Sequence, residues 1–265
     1  MSVLMEAKSV SRVFGGLVAV DNVDMTVNKG DIYGIIGPNG AGKTTFFNMC
    51  TGFYSPTHGA IYLEGKKVSG LPCDRIAHLG IARTFQNIQL FRYMTVLENV
   101  KIGFHINTRT GILDALFHTK TYKNDEKMVE EKGYEVLEEV GLSGYAGMKA
   151  GNLPYGIQRK VEIARALALN PKILLLDEPV AGMNPSETMS LMNFILMLKE
   201  KGYTIAVIEH DMKFVMNSCN HILVLNFGQK ICEGSPEQVK NDDQVRKAYF
   251  GKGRVSSGCE RKEAC

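Results

Sequence analysis

The sequence predicts an α/β protein: a largely parallel sheet covered by helices, with one helical segment inserted into it. Three observations carry that prediction. Short apolar strand-like runs alternate with helical patterns along the chain. The clearest of these runs, residues 32–36, 173–176 and 204–208, are too apolar to have an exposed face. From about residue 86 to 155 the strand signals vanish and helical ones dominate. At 265 residues, 45% hydrophobic and 22% charged, the composition is that of a soluble globular protein with room for a real core. Lysine and arginine number 31 against 28 acidic residues, and a net charge of +3 is too small to imply a nucleic-acid partner. No apolar run approaches the roughly 18 residues of a membrane helix, and residues 1–6 lack a basic-then-apolar secretory pattern. The expectation is a chain that neither spans a membrane nor is secreted by that route.

Taken in order, the strand at 32–36 ends directly at Gly37-Pro38-Asn39-Gly40-Ala41-Gly42-Lys43-Thr44-Thr45. This fits Gly-x-x-x-x-Gly-Lys-[Ser/Thr] between a strand and a helix. The glycines let the backbone curl so that N–H groups from about Gly40 to Thr45 point at phosphate oxygens. The helix over 43–51 adds the positive end of its dipole. Lys43 reaches toward β and γ phosphates, and Thr44 offers a hydroxyl to Mg²⁺. Helical patterns follow at 126–140 and 158–169, and residues 105–125 read as a loop-rich insertion. The buried strand 173–176 ends in Asp177-Glu178. There Asp177 would hold a metal's water shell and Glu178 would activate an attacking water as general base. The helix over 186–200 carries Met189, Met192 and Met197 among Leu191, Phe194, Ile195 and Leu198, a stripe read chiefly as core packing. The strand 204–208 ends at Glu209-His210. Cys50, Cys73, Cys219, Cys232, Cys259 and Cys265 form no metal-ligand spacing and read as reduced cytosolic thiols.

These motifs, in this order, resemble the ATP-binding cassette (ABC) ATPases. Arg83-Thr84-Phe85-Gln86 is similar to their Q-loop, and Leu153-Pro154-Tyr155-Gly156-Ile157-Gln158 to their signature motif. Ala181-Gly182-Met183-Asn184 resembles the D-loop, and Ile208-Glu209-His210-Asp211 the switch-histidine motif. The resemblance implies a P-loop NTPase: a RecA-like ABC ATPase core with a mainly parallel sheet, an inserted helical subdomain and N-terminal antiparallel β strands. Residues 1–250 would form one such domain, with 1–85 and 158–250 as the α/β core and 86–157 as the helical subdomain. Residues 251–265, polar and of mixed charge, are expected to be a disordered tail.

It also implies roles. ATP and Mg²⁺ would be the ligands, with Gly37, Pro38, Asn39, Gly40, Ala41, Gly42, Lys43, Thr44 and Thr45 binding ATP, and Thr44, Gln86 and, through water, Asp177 serving the metal. Glu178, His210 and Gln86 would be the catalytic set, His210 contacting the γ-phosphate and Gln86 sensing it. Phe14 sits where the family stacks an aromatic on adenine; outside this context it is simply a core residue. The signature closes over the P-loop of a second subunit, so two chains sandwich two ATP molecules, which a homodimer and a heterodimer both satisfy. Pro154 replaces the serine of the general signature and removes a γ-phosphate donor. Proline suits the first turn of a helix.

Val13-Phe14-Gly15-Gly16-Leu17, Thr84-Phe85-Gln86-Asn87-Ile88-Gln89-Leu90-Phe91 and Glu178-Pro179-Val180-Ala181-Gly182-Met183-Asn184-Pro185 resemble the ATP-binding subunit of branched-chain amino acid importers. That implies a second, different ATPase subunit, two membrane permeases, indirectly a solute-binding protein, and a peripheral place at the cytoplasmic face of the plasma membrane. Related branches import urea or export lipopolysaccharide, and a weakly hydrolysing nucleotide-gated clamp is a further alternative. The apolar stretch 88–96 reads either as a groove for a permease helix, with Phe91, Tyr93 and Met94 as anchors, or as the helical subdomain's own core.

Overall fold

Two sheets carry the chain. In the computed structural model, which describes residues 2–105, 114, 117 and 119–250, an antiparallel sheet is built from β1 (Val3–Phe14), β2 (Leu17–Asn28), β4 (His58–Leu63) and β5 (Lys66–Lys67) in the order β2-β1-β4-β5. A six-stranded sheet takes β3 (Ile32–Ile36), β6 (Ile81–Arg83), β7 (Ile173–Asp177), β8 (Thr204–Ile208), β9 (His221–Asn226) and β10 (Gln229–Gly234) in the order β10-β9-β3-β8-β7-β6. All its pairs are parallel except the terminal β9–β10 hairpin.

The apolar runs are strands because both of their faces are covered. Every residue of β3, β7 and β8 is buried. Alternate residues feed two different cores, as the period-two pleat requires. Ile173 and Leu175, Ala206 and Ile208, and Tyr33 and Ile35 face a cluster with Phe46, Phe47 and Ile61. Leu174 and Leu176, Ile205 and Val207, and Ile32 and Ile36 face the opposite cluster, with Val161, Leu191 and Leu198. The first cluster is shared with the antiparallel sheet and the helix Lys43–Cys50 (α1); the second holds the helices that follow.

Between β6 and β7 the described residues contribute no strand to either sheet, only helices: Val96–Phe104, Lys120–Glu139 and Tyr155–Leu167. Thr95 and Glu98 form a reciprocal capping box at the first. The second starts at Lys120, capped by the Thr119 side chain, six residues before the 126 expected from the sequence. Its first turns are polar and only Val129, Gly133 and Leu137 are buried, so the amphipathic signal is weak where the helix begins. Residues 106–113, 115, 116 and 118 of the expected insertion, the tail 251–265, and with it Cys259 and Cys265, lie outside the described residues. In the helix Pro185–Glu200, Leu191, Phe194, Ile195 and Leu198 are buried, whereas Met189 is exposed. Cys50 and Cys219 are buried, and burial pushes each thiol up to about 12. Among the described residues, no helix is long and apolar enough to cross a membrane.

Candidate functional site

The central strands β3, β8 and β7 lie side by side, so the loops at their C-terminal ends converge. Gly37–Thr45 follows β3, Asp177-Glu178 ends β7, and Glu209-His210 follows β8. This is where an open α/β sheet places its ligand. α1 begins at Lys43 with Gly42 as its N-cap at φ +98°, a left-handed conformation that disfavours any side chain. The buried ammonium of Lys43 donates to the carbonyls of Gly37 (2.7 Å) and Pro38 (3.1 Å). Burial lowers its pKa, partly opposed by the charges of Glu178, Asp177 and Glu209.

Two cavities flank this loop. One, of 590 Å³, is lined by Asn39 to Thr45, Glu178, Leu17, Val18, Ala19, Phe227 and Gly228. The other, of 460 Å³, brings Gly37, Pro38 and Asn39 together with Gln86, Glu178 and His210, and with Ala248 and Tyr249 of the C-terminal helix Asp243–Phe250. Gln86 donates to a Glu178 carboxylate oxygen at 2.8 Å. Glu178 holds φ +45°, a conformation costly for a non-glycine residue, and its N–H bonds to Ile208 O at 2.9 Å. The strained turn therefore takes its place from the neighbouring strand.

Glu209 organises the far side. It is fully buried, accepts from Val180 N at 2.9 Å through one oxygen and from His210 N at 3.1 Å through the other. Burial raises its pKa against those backbone donors. The His210 side chain itself is mostly exposed. Asp177 is buried, and its Oδ2 pairs with the Arg83 guanidinium at 2.6 Å; Arg83 also donates to Asn48 Oδ1 at 2.7 Å.

The signature residues line neither cavity. Pro154 is the N-cap of the helix Tyr155–Leu167, with extended ψ of 148°, one residue before the first helical turn in which the sequence placed it. Its carbonyl accepts from Ile157 and Gln158, and Gln158 Nε2 donates to Leu153 O at 2.8 Å. Tyr155 is partly exposed and its hydroxyl lies 3.3 Å from Ala181 O. Phe14 does not line either cavity: its ring meets Tyr54 edge-on at 5.1 Å, and the Arg12 guanidinium lies 4.5 Å over it.

Sequence reasoning passed over Arg159 and Glu162. Arg159 is fully buried; Nη1 donates to Phe85 O and to Glu162 Oε2, and Nη2 to Gln86 O, all at 2.7 Å. Glu162 Oε1 accepts from Gln89 N at 3.3 Å. The helix that carries the signature thus grips the backbone of the glutamine loop. The available signal was an Arg/Glu pair at i, i+3 amid the apolar residues Val161 and Ile163.

A phosphate-cradling loop next to a strand that ends in paired carboxylates, with a helical insertion between them, defines a P-loop ATPase of the ATP-binding cassette class. Residues 20–181 match the ABC transporter family, and residues 229–255 match the branched-chain amino acid ATP-binding cassette transporter family. The chain belongs to the ABC transporter family. It is 45% identical over 249 residues to the high-affinity branched-chain amino acid transport ATP-binding protein BraF of Pseudomonas aeruginosa, covering 94% of this chain and 98% of that one. It is 44% identical, with the same coverage, to the similarly described LivG of Escherichia coli K12. Among solved structures it resembles the ADP conformation of MJ1267, an ATP-binding cassette of an ABC transporter, with TM-score 0.83, 40% identity, and coverage of 95% of this chain and 100% of that one. It also resembles a dimeric post-hydrolysis state of the cassette MJ0796 bound to ADP and Pi, with TM-score 0.70, 27% identity, and coverage of 88% and 99%.

Proposed function

We propose that this chain is the ATP-hydrolysing subunit of an importer of branched-chain or similar amino acids, working at the cytoplasmic face of the plasma membrane through separate permeases. The observation that carries the reading is the convergence of Gln86, Glu178 and His210 on the phosphate loop in one cavity; the relatives' transport of branched-chain amino acids supplies the solute.

In this mechanism the loop amides and Lys43 bind the phosphates, Lys43 exchanging the carbonyls of Gly37 and Pro38 for phosphate oxygens. Glu178 accepts the proton of the attacking water, and Gln86, already bonded to it, holds its carboxylate. His210, fixed through its backbone by Glu209, reaches the γ-phosphate. Thr44, Gln86 and Asp177 offer hydroxyl, amide and carboxylate oxygens, a hard donor set that fits Mg²⁺ shared with phosphates and waters. With one Asp177 oxygen engaged by Arg83, that carboxylate acts through water. Bound there, Mg²⁺ would neutralise charge on the β and γ phosphates.

Two chains complete the machine, each signature closing over the other's loop, and the two different ATPase subunits of such importers favour a heterodimer. The dimeric state recorded for MJ0796 supports pairing as such. Residues 86–157 would then turn as one helical subdomain against 1–85 and 158–250 when ATP draws Gln86 inward, a population shift toward the closed state. The exposure of Phe91 and Tyr93, 54% and 92%, supports the permease-helix reading for those two anchors, whereas Met94 is half-buried and Leu90 packs against the core. In liposomes holding the chain with its partner ATPase, permeases and binding protein, leucine, isoleucine or valine should stimulate ATP turnover. Stimulation by urea, or by lipopolysaccharide in an exporter arrangement, overturns the solute assignment.

Pro154 sets a second expectation. Lacking a hydroxyl, it caps its helix with no side-chain bond. Pro154→Ser adds both an N-cap acceptor, typically about 1 kcal/mol for such a helix, and a γ-phosphate donor. ATP-driven dimerisation should tighten, read as a sedimentation shift at lower ATP; an unchanged ATP dependence refutes the idea that the site closed by this signature is the weaker one for want of the serine.

A further inference from the structure

We propose that the groove between the last three described helices is a binding site for a small aliphatic carboxylate, separate from the nucleotide site. It lies among the helices Met212–Ser218, Pro236–Asn241 and Asp243–Phe250 and has a volume of 450 Å³, within the range of small-molecule sites. Its floor is apolar, formed by Met212, Met216, Val239, Val245 and Tyr249. Val239 and Val245 are buried members of the core, and the other three pack half-buried against it, so the fold fixes the floor. Five of the eight lining residues lie within 229–255, the segment that matches the branched-chain family, and none lies within 20–181. The groove is therefore built largely by what this branch adds to the general cassette. Among the described residues, Tyr249 alone also lines the cavity of Gln86, Glu178 and His210.

The rim decides the ligand's charge. Lys213, Lys240 and Arg246, one from each helix, complete the lining and are exposed. None of them forms an ion pair among the described residues. No acidic residue lines the groove. The carboxylates beside it in the chain are turned to backbone amides: Asp211 Oδ1 accepts from Phe214 N at 3.0 Å, and Asp242 Oδ1 from Gln244 N at 2.8 Å and Val245 N at 2.9 Å. Three cations around an apolar floor complement an anion that carries an aliphatic body. A zwitterionic amino acid fits less well, because its ammonium group would meet no acceptor carboxylate. The residues that follow, 251–265, carry Lys252, Arg254, Arg261 and Lys262 against Glu260 and Glu263, so their charge opposes the rim rather than matching it.

The test is equilibrium binding of octanoate, acetate and octylammonium to the full chain by calorimetry, with a thermal melt to check that each variant is folded. With about half of its six additional methylene groups buried, octanoate should bind wild type roughly 100-fold more tightly than acetate. It should also bind more tightly than octylammonium, which has the same body and the opposite charge. Lys240→Glu/Arg246→Glu should invert that preference, and Lys240→Gln/Arg246→Gln, which only removes charge, should abolish it without inverting it. Saturating ADP should leave octanoate binding in place. Displacement by ADP puts octanoate in the nucleotide site and overturns the proposal. Equal wild-type affinity for octanoate and octylammonium also overturns it, since that marks adsorption to exposed apolar surface. Binding to phosphatidylglycerol vesicles with no binding of octanoate overturns it as well, making this face a membrane contact.

Discussion

Glu178→Gln is expected to lower ATP turnover by roughly 10²–10⁴-fold, the usual contribution of a general base, with ATP affinity unchanged. The substitution keeps size and shape but removes the proton acceptor. Binding should survive because the phosphates are held by the loop amides and Lys43 rather than by this carboxylate. The left-handed backbone at Glu178 is set by its N–H bond to Ile208, which glutamine retains. The measurement is steady-state turnover beside equilibrium ATP binding, with and without the partner subunits. Collapsed turnover with ATP trapped in a closed dimer fits the base assignment. Wild type equally slow with its partners present would instead favour the nucleotide-gated clamp.

Arg159→Met is expected to destabilise the fold by about 3–5 kcal/mol, the cost of leaving one member of a buried ion pair alone. The Glu162 carboxylate would stay buried with Gln89 N as its remaining hydrogen-bond donor among those described and the Arg165 charge nearby, and burial already raises its pKa. For a domain of this size each kcal/mol moves the melting temperature by about 2–4 °C, so the drop should be plain in a thermal scan. The double variant Arg159→Met/Glu162→Leu removes the stranded charge and should recover part of the loss. The unrecovered part belongs to the carbonyls of Phe85 and Gln86, which lose their guanidinium donors in both variants. A single variant within about 1 kcal/mol of wild type would show that the pair does not hold the helix to the glutamine loop, since that is the range of an exposed pair.

Which features were legible beforehand follows from how locally each is encoded. The phosphate loop needs glycines at set spacing between a strand and a helix, and those needs are met within nine consecutive residues. The carboxylates at the end of β7 were readable for the same reason, since a run of buried apolar residues stops there. The start of the helix at Lys120 was not readable, because its first turns face solvent and carry no apolar period. For Phe14 the motif position carried the reading, and the edge-on contact with Tyr54 and the Arg12 guanidinium over the ring could not be read from that position.

By itself the sequence determined the P-loop, the strand ending in Asp177 and Glu178, the order of the motifs and the parallel α/β class, because each rests on backbone conformation or burial period within a short segment. Only the tertiary structure decided that Arg83 neutralises Asp177, that Glu209 anchors the turn at Val180, that Arg159 holds the carbonyls of Phe85 and Gln86, and that Phe227 stands beside the nucleotide loop. Each of these joins residues 29 to 186 positions apart, measured for Phe227 to Ala41. Their meeting depends on which strands become neighbours, and the order β10-β9-β3-β8-β7-β6 is settled by how two apolar cores close over both faces of one sheet.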